Sequence, residues 1–139
     1  MKDRFFLDTN IVVYTFDKTD PVKNEIAHDL VKSALQDRNG FISYQVVQEF
    51  IHVSTRKFAT PLKESDCRLY LDKVLAPLCQ VFSTIQLYEE ALDIMERWKL
   101  SFYDSLIIAA ALAMDCKILF SEDLQNNLKV YSLTIRNPF

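Results

Sequence analysis

Glycine is nearly missing from this 139-residue chain: Gly40 is the only one. All-β folds with many tight reversals consume glycine wherever a positive φ is required, so such architectures are disfavoured. The scarcity also removes any glycine-rich loop whose amides could cradle a phosphate. Cysteine is sparse too. Cys67, Cys79 and Cys116 are odd in number, far apart and without a CxxC, which reads as free thiols in a reducing compartment. The longest apolar run, residues 105–114, is too short to span a bilayer. Asp3 and Asp8 interrupt any apolar segment that could serve as a signal peptide. The expectation is one soluble, cytoplasmic domain over residues 1–139, with no membrane partner.

Positive charge is also in deficit, with 16 Lys and Arg against 19 Asp and Glu for a net charge of −3. That balance argues mildly against a nucleic-acid partner. The objection weakens if several acids are committed to a cation, because setting four aside leaves the remainder at +1. What is present is ordinary globular material, 50% hydrophobic and 25% charged. A chain of this size buries roughly two-thirds of its unfolded surface, so neither disulfide nor structural metal is required for stability.

Short apolar runs alternate with helical patterns. Phe5-Phe6-Leu7 reads as a buried strand. Asp20-Pro21 is a strong helix start, and Ile26, Ala27, Leu30, Val31 and Ala34 follow at helical spacing to Asp37. Gly40 breaks the pattern before a strand at Phe41-Ile42-Ser43. A helix over 44–58 carries Val46, Val47, Phe50 and Ile51, and Thr60-Pro61 ends it. Residues 63–75 are helical until Pro77, and Val81-Phe82 is a weak strand. Thr84 caps a helix whose Ala91, Leu92, Met95 and Trp98 form one face. Ser101 and Asp104 have capping-box spacing ahead of a helix over 106–114, apolar nearly all round and therefore central. Residues 117–120 form a strand, and 130–135 a last extended run. Strands separated by helices imply a parallel sheet covered on both faces, with sites at the carboxyl ends of the strands.

That rule singles out acids. Asp8 follows the first strand and Asp123 the strand ending at Phe120, so neighbouring strands would bring both carboxylates to one edge. Carboxylates held close repel unless they share a proton or a cation. Glu49 borders the apolar face of its helix with no Lys or Arg three or four residues away, and Asp104 opens the most buried helix. Oxygen-rich clusters of this kind suit Mg²⁺ or Mn²⁺. Each acid has a plainer explanation. Asp8 can cap a helix, Asp104 can partner Ser101, Glu49 can be solvated, and Asp123 can make an Asx turn. Their joint placement is what points to a site. His28 and His52 are too far apart for a helical metal pair and read as surface residues. No Ser-His-Asp or Cys-His arrangement is suggested, and Trp98 reads as core. Arg56, Lys57, Lys63, Arg68 and Lys73 could hold a phosphate backbone, although a solvated helical face is the commoner outcome.

The stretches "FLDTNIVVY", "VVQEFIHV", "FYDSLIIAAA" and "LFSEDLQ" resemble, in order, the four acidic motifs of the PIN domain, a family of metal-dependent ribonucleases. The motifs and intervening helices cover nearly the whole chain. The length and the "SEDLQ…NPF" ending resemble bacterial stand-alone PIN proteins, many of them VapC-type toxins of type II toxin–antitoxin pairs. The resemblance implies a Rossmann-like α/β fold, with a central parallel sheet of 4–5 strands flanked by helices on both faces. It implies that Asp8, Glu49, Asp104 and Asp123 are the acidic metal-site residues, supported through hydrogen bonds by Thr9, Asn10 and Ser121. Mg²⁺ or Mn²⁺ and hydrolysis of RNA leaving a 5′-phosphate follow from it, as do a homodimer and a cognate antitoxin. Such an antitoxin is expected to lay an amphipathic or extended segment over the acidic cleft. Asn126-Asn127 stand where stand-alone relatives often carry glycine, so that loop is expected to differ in shape.

The chemistry agrees, since bound cations neutralise a phosphodiester, activate water and stabilise the leaving oxygen. Asp8, Asp104 and Asp123 would hold the metal, while Glu49 either ligates it or orients the attacking water. Two other classes compete. One is a catalytically silent PIN-fold module that binds RNA or protein. The other is a phosphatase with Asp8 as nucleophile, which is disfavoured because Asn10 stands where haloacid-dehalogenase-like enzymes need a second aspartate.

Overall fold

The three apolar residues Phe5–Leu7 form β1, the strand around which the rest is assembled. In the computed structural model, which describes residues 3–139, β1 is buried along its whole length. It pairs in parallel with β2 (Gly40–Ser43) on one side and β4 (Ile118–Phe120) on the other. β3 (Cys79–Val81) lies outside β2, and β6 (Leu133–Arg136) lies outside β4. β5 (Lys129–Val130) completes a sheet of order β3-β2-β1-β4-β6-β5. Five strands are therefore parallel, as the alternating pattern implies, and the sixth is an antiparallel edge on β6. The extended run at 130–135 is not continuous. Tyr131, at φ 53°, folds it into a hairpin.

Local signals explain most of the helices. α1 (Thr9–Tyr14) starts at Asp8, and α2 (Pro21–Asp37) starts at Asp20, whose carboxylate accepts from the Lys23 amide at 3.2 Å. α3 (Tyr44–Arg56) buries Val46 and Phe50. α4 (Glu64–Tyr70) continues through a widened turn over Leu71–Leu75 into α5 (Ala76–Leu78). The chain thus remains helical through Pro77, where the sequence pattern implies a stop. The proline ring excludes the carbonyl four residues back and offers no N–H, and the wider turn just before it accommodates both. α6 (Ile85–Trp98) is capped by Thr84, and α7 (Phe102–Ala113) by Ser101, whose Oγ accepts from the Asp104 amide at 3.2 Å. α7 begins four residues before the expected start and is buried from Ser105 to Ala111, which makes it the central helix.

One face is corrected by the structure. α6 buries Leu87, Ala91 and Ile94 rather than Leu92, which is 49% exposed. The stripe at 87, 91 and 94 follows helical spacing onto α7, and Leu92 lies about 100° beyond Ala91. Among the described residues no helix is long and apolar enough to cross a membrane.

The single glycine does not take positive φ, and among the described residues five others do: Arg38, Lys99, Asp115, Asn127 and Tyr131. Arg38 and Lys99 are the left-handed caps that end α2 and α6, positions where glycine is ordinarily preferred. Arg38→Gly relieves the steric cost of a β-carbon there and is expected to raise stability by about 0.5–1 kcal/mol, measured by chemical denaturation. Asn127, at φ 69°, takes a left-handed turn. Asparagine tolerates that region through local hydrogen bonding by its short side chain.

Candidate functional site

Parallel pairing of β1 with β4 fixes the place of the first acid. The Asp8 amide donates to the Phe120 carbonyl at 3.0 Å, so Asp8 and Ser121 leave the same sheet edge side by side. Asp8 is 8% exposed. Its Oδ1 accepts from the Thr9 amide at 2.7 Å, and its Oδ2 accepts from Ser121 Oγ at 2.7 Å and Asn10 Nδ2 at 3.3 Å. The helix-cap and site readings of Asp8 are therefore not exclusive, since one carboxylate serves both.

The neighbouring residues tie the other acids to it. Asn10 Nδ2 also donates to Asp123 Oδ2 at 3.2 Å, while Asn10 Oδ1 accepts from the Glu122 amide at 3.1 Å. Ser121 Oγ accepts from the Asp123 amide at 3.2 Å and the Leu124 amide at 3.3 Å. Thr9 Oγ1 donates to Glu49 Oε2 at 2.6 Å, and Gln45 Nε2 donates to Glu49 Oε1 at 2.8 Å. The three polar residues Thr9, Asn10 and Ser121 thus link three of the four acids into one network. Asp104 stands apart: it is exposed on the first turn of α7, and its side chain bonds to none of the other acids. Gln45 is the nearest tie, because its Nε2 also donates to the Tyr103 carbonyl at 3.3 Å.

Electrostatics mark Asp8 as the strained member. Burial pushes its carboxyl up to about 6, with a smaller push from the charges of Glu49 and Asp123. The bonds from Ser121 and Thr9 hold it back only in part. No Lys or Arg side chain bonds to Asp8, Glu49, Asp104 or Asp123 among the described residues. The nearby cation is used elsewhere, since Lys23 Nζ pairs with Glu122 Oε1 at 2.8 Å. An all-oxygen, acidic and uncompensated donor set fits a hard divalent cation. No three acidic, His or Cys side chains converge closely enough to hold a metal among the described residues. Mg²⁺ commonly takes only one or two carboxylates and keeps its waters, which the Asp8–Asp123 pair can provide.

Ser121 is the residue on which this arrangement most depends. Ser121→Ala removes the 2.7 Å donor to Asp8 and leaves the Asp123 and Leu124 amides without their acceptor. The expected result is about 2 kcal/mol of lost stability and a 10–100-fold loss of divalent-ion affinity, read by thermal melts and titration calorimetry.

A cavity of about 440 Å³ opens beside the network, lined by Thr9, Asn10, Val13 and Tyr14 of α1, by Glu49, His52 and Val53 of α3, and by Asp17 and Asp123. Sequence reasoning does not find Tyr14, Asp17 or His52. The available signal is spacing: His52 lies three residues beyond Glu49 on α3 and so shares its face. Of the basic residues considered for RNA contact, Arg56 and Lys57 are exposed at the end of α3, and Arg68 is paired with Glu64 at 2.8 Å.

Acids at the carboxyl edge of a parallel sheet, in this order, are what the motif resemblance anticipates, and the family model for the PIN domain matches residues 5–129. The chain belongs to the PIN domain family. No curated protein sequence matches it. Several solved structures share the fold of this PIN domain. A toxin–antitoxin complex from Klebsiella pneumoniae is 15% identical with a TM-score of 0.68, over 96% of this chain and 97% of that one. FitAcB from Neisseria gonorrhoeae is 16% identical with a TM-score of 0.65, covering 96% and 97%. VapC20 from Mycobacterium tuberculosis, a sarcin–ricin loop cleaving toxin, is 18% identical with a TM-score of 0.63, covering 86% and 91%.

Proposed function

We propose that this PIN domain is a metal-dependent endoribonuclease that hydrolyses RNA phosphodiester bonds, and that it is the toxin of a type II toxin–antitoxin pair. The observation that carries the catalytic part is the buried Asp8 carboxylate, joined through Asn10 to Asp123 and through Thr9 to Glu49, with no basic side chain bonded to any of them. In this reading Asp8 and Asp123 hold the Mg²⁺ or Mn²⁺ ion. Asp104 completes its surroundings, and Glu49 ligates it or orients the attacking water. When bound, the ion supplies charge neutralisation of the phosphodiester and Lewis acidity toward the attacking water. Thr9, Asn10 and Ser121 do the orienting, because their hydrogen bonds fix where the carboxylates aim.

The toxin assignment is supported by fold neighbours that include a toxin–antitoxin complex and VapC20, a sarcin–ricin loop cleaving toxin. It implies a cytoplasmic protein, a homodimer, and an antitoxin that covers the acidic cleft. A second reading, the silent PIN-fold module that binds RNA or protein, is favoured by the separation of Asp104 and the lack of a three-acid cluster among the described residues. Cleavage separates the two. The nuclease reading expects Mg²⁺-dependent cutting of a structured RNA by the wild type, lost with EDTA and in both Asp8→Asn and Asp104→Asn. Equal behaviour of all three proteins overturns it. Recovery of an active protein that leaves growth unimpaired and co-purifies with no operon partner overturns the toxin assignment.

A further inference from the structure

The cavity beside the acids has an unbalanced lining. Thr9 Oγ1 donates to Glu49, and Asn10 Nδ2 donates to Asp8, Ser121 and Asp123. The Tyr14 hydroxyl sits 3.4 Å from Lys23 Nζ, and Asp17 Oδ1 accepts from the amide and hydroxyl of Thr19 at 3.0 and 2.6 Å. Glu49 and Asp123 are acceptors, and Val13 and Val53 are apolar. That leaves His52, which is exposed and whose imidazole has no hydrogen-bond partner among the described residues. Among the described residues it is the side-chain N–H donor of the lining that no hydrogen bond occupies.

A phosphodiester entering here meets the carboxylates of Glu49 and Asp123. A cation held by the acids can engage one of its oxygens, but fixing the strand's direction needs a second, separate donor, and His52 lies one helical turn beyond Glu49 on α3. We propose that His52 is that donor: it binds a non-bridging phosphate oxygen of the RNA strand and sets where the strand lies relative to the acidic edge. The inference rests on the nuclease reading and deepens it by assigning a substrate-anchoring residue to the same site. The cavity volume of about 440 Å³ lies in the range of small-molecule sites, room for one phosphate and its sugar against Val13 and Val53. The imidazole bonds through either ring nitrogen, so the role requires a donor rather than a permanent charge.

The test uses a short 5′-fluorescein single-stranded RNA. Binding is followed by fluorescence anisotropy in EDTA, so that no cleavage contributes, and kcat and KM are followed separately in Mg²⁺. His52→Ala is expected to raise Kd and KM by about tenfold, a typical loss for one phosphate hydrogen bond, with kcat within about twofold. His52→Gln, which keeps an N–H donor, is expected to recover most of the loss. Because His52 is exposed, melting temperatures of all three proteins should coincide. Unchanged Kd and KM in His52→Ala overturn the inference, as does a fall in kcat with KM unchanged. Failure of the nuclease reading shows differently, as absence of Mg²⁺-dependent cleavage in the wild type itself.

Discussion

Asp8→Asn is expected to make the protein more stable while abolishing its activity. The charged carboxylate of Asp8 is held in a buried position beside two other acids, which raises its pKa to about 6 from an ordinary 3.8. That displacement corresponds to about 3 kcal/mol against the ionised form at neutral pH. An asparagine carries no charge but offers one acceptor instead of two, so it loses a bond to either Thr9 or Ser121, worth about 1–1.5 kcal/mol. The net expectation in EDTA at pH 7 is a gain of about 1–2 kcal/mol, or about 4–8 °C in melting temperature for a chain of this length. The pH dependence is distinctive. Between pH 4 and 6 the native wild type binds a proton at Asp8 that the unfolded chain has released, so its stability from this group rises as pH falls through 6. The advantage of the variant therefore shrinks on acidification and is gone near pH 4. On the proposed nuclease reading, RNA cleavage in Mg²⁺ is expected to fall about a thousandfold or more, because the carboxylate proposed to hold the ion is lost. A variant that is both less stable at pH 7 and equally active would remove the basis for placing a cation at Asp8.

Gly40→Ala is expected to have the largest effect on folding. A β-carbon at that position would sit 2.3 Å from the Ala34 β-carbon and 2.6 Å from the Phe5 ring. Ala34 is on α2 and Phe5 on β1, both buried, so neither has room to retreat. Overpacking of this kind costs about 3 kcal/mol or more here, which lowers the melting temperature by about 10 °C. Ala34→Gly in the same chain removes the closest contact but not the ring, and should restore part of the loss after its own helix penalty of about 1 kcal/mol. A melting temperature unchanged from wild type in Gly40→Ala would show that α2 does not press on β2 as described.

Gly40 also shows how far a sequence of this kind can be read. As punctuation between a helix and a strand it is evident from its neighbours. Its real task, letting α2 approach the sheet, depends on Phe5, remote in sequence, and on how the turn after α2 folds Ala34 back over Gly40, so no local pattern contains it. The same division runs through the molecule. Asp20-Pro21, Thr84 and Ser101 announce helix starts because the capping bond forms within three residues. Leu92 is misread because which side of α6 is covered is decided by α7. Pro77 is misread because a widened turn absorbs it. At the site, the acids after β1 and β4 are legible from strand-end logic, and Thr9, Asn10 and Ser121 from the motif resemblance. His52 is not, since an exposed histidine acquires significance only when a cavity is seen to include it.

The central position of β1 has a consequence for synthesis. Its partners are Gly40 and Phe41 on one side and Ile118 to Phe120 on the other, so β1 waits for a strand made much later in synthesis to pair its far edge. The same closure brings Ser121 and Asp123 to Asp8. Until the ribosome has released that segment, Asp8 has neither its hydroxyl donor nor its second carboxylate. On the proposed nuclease reading, a nascent chain is therefore chemically mute toward the RNA-rich surface it emerges from until the segment after β4 has joined β1.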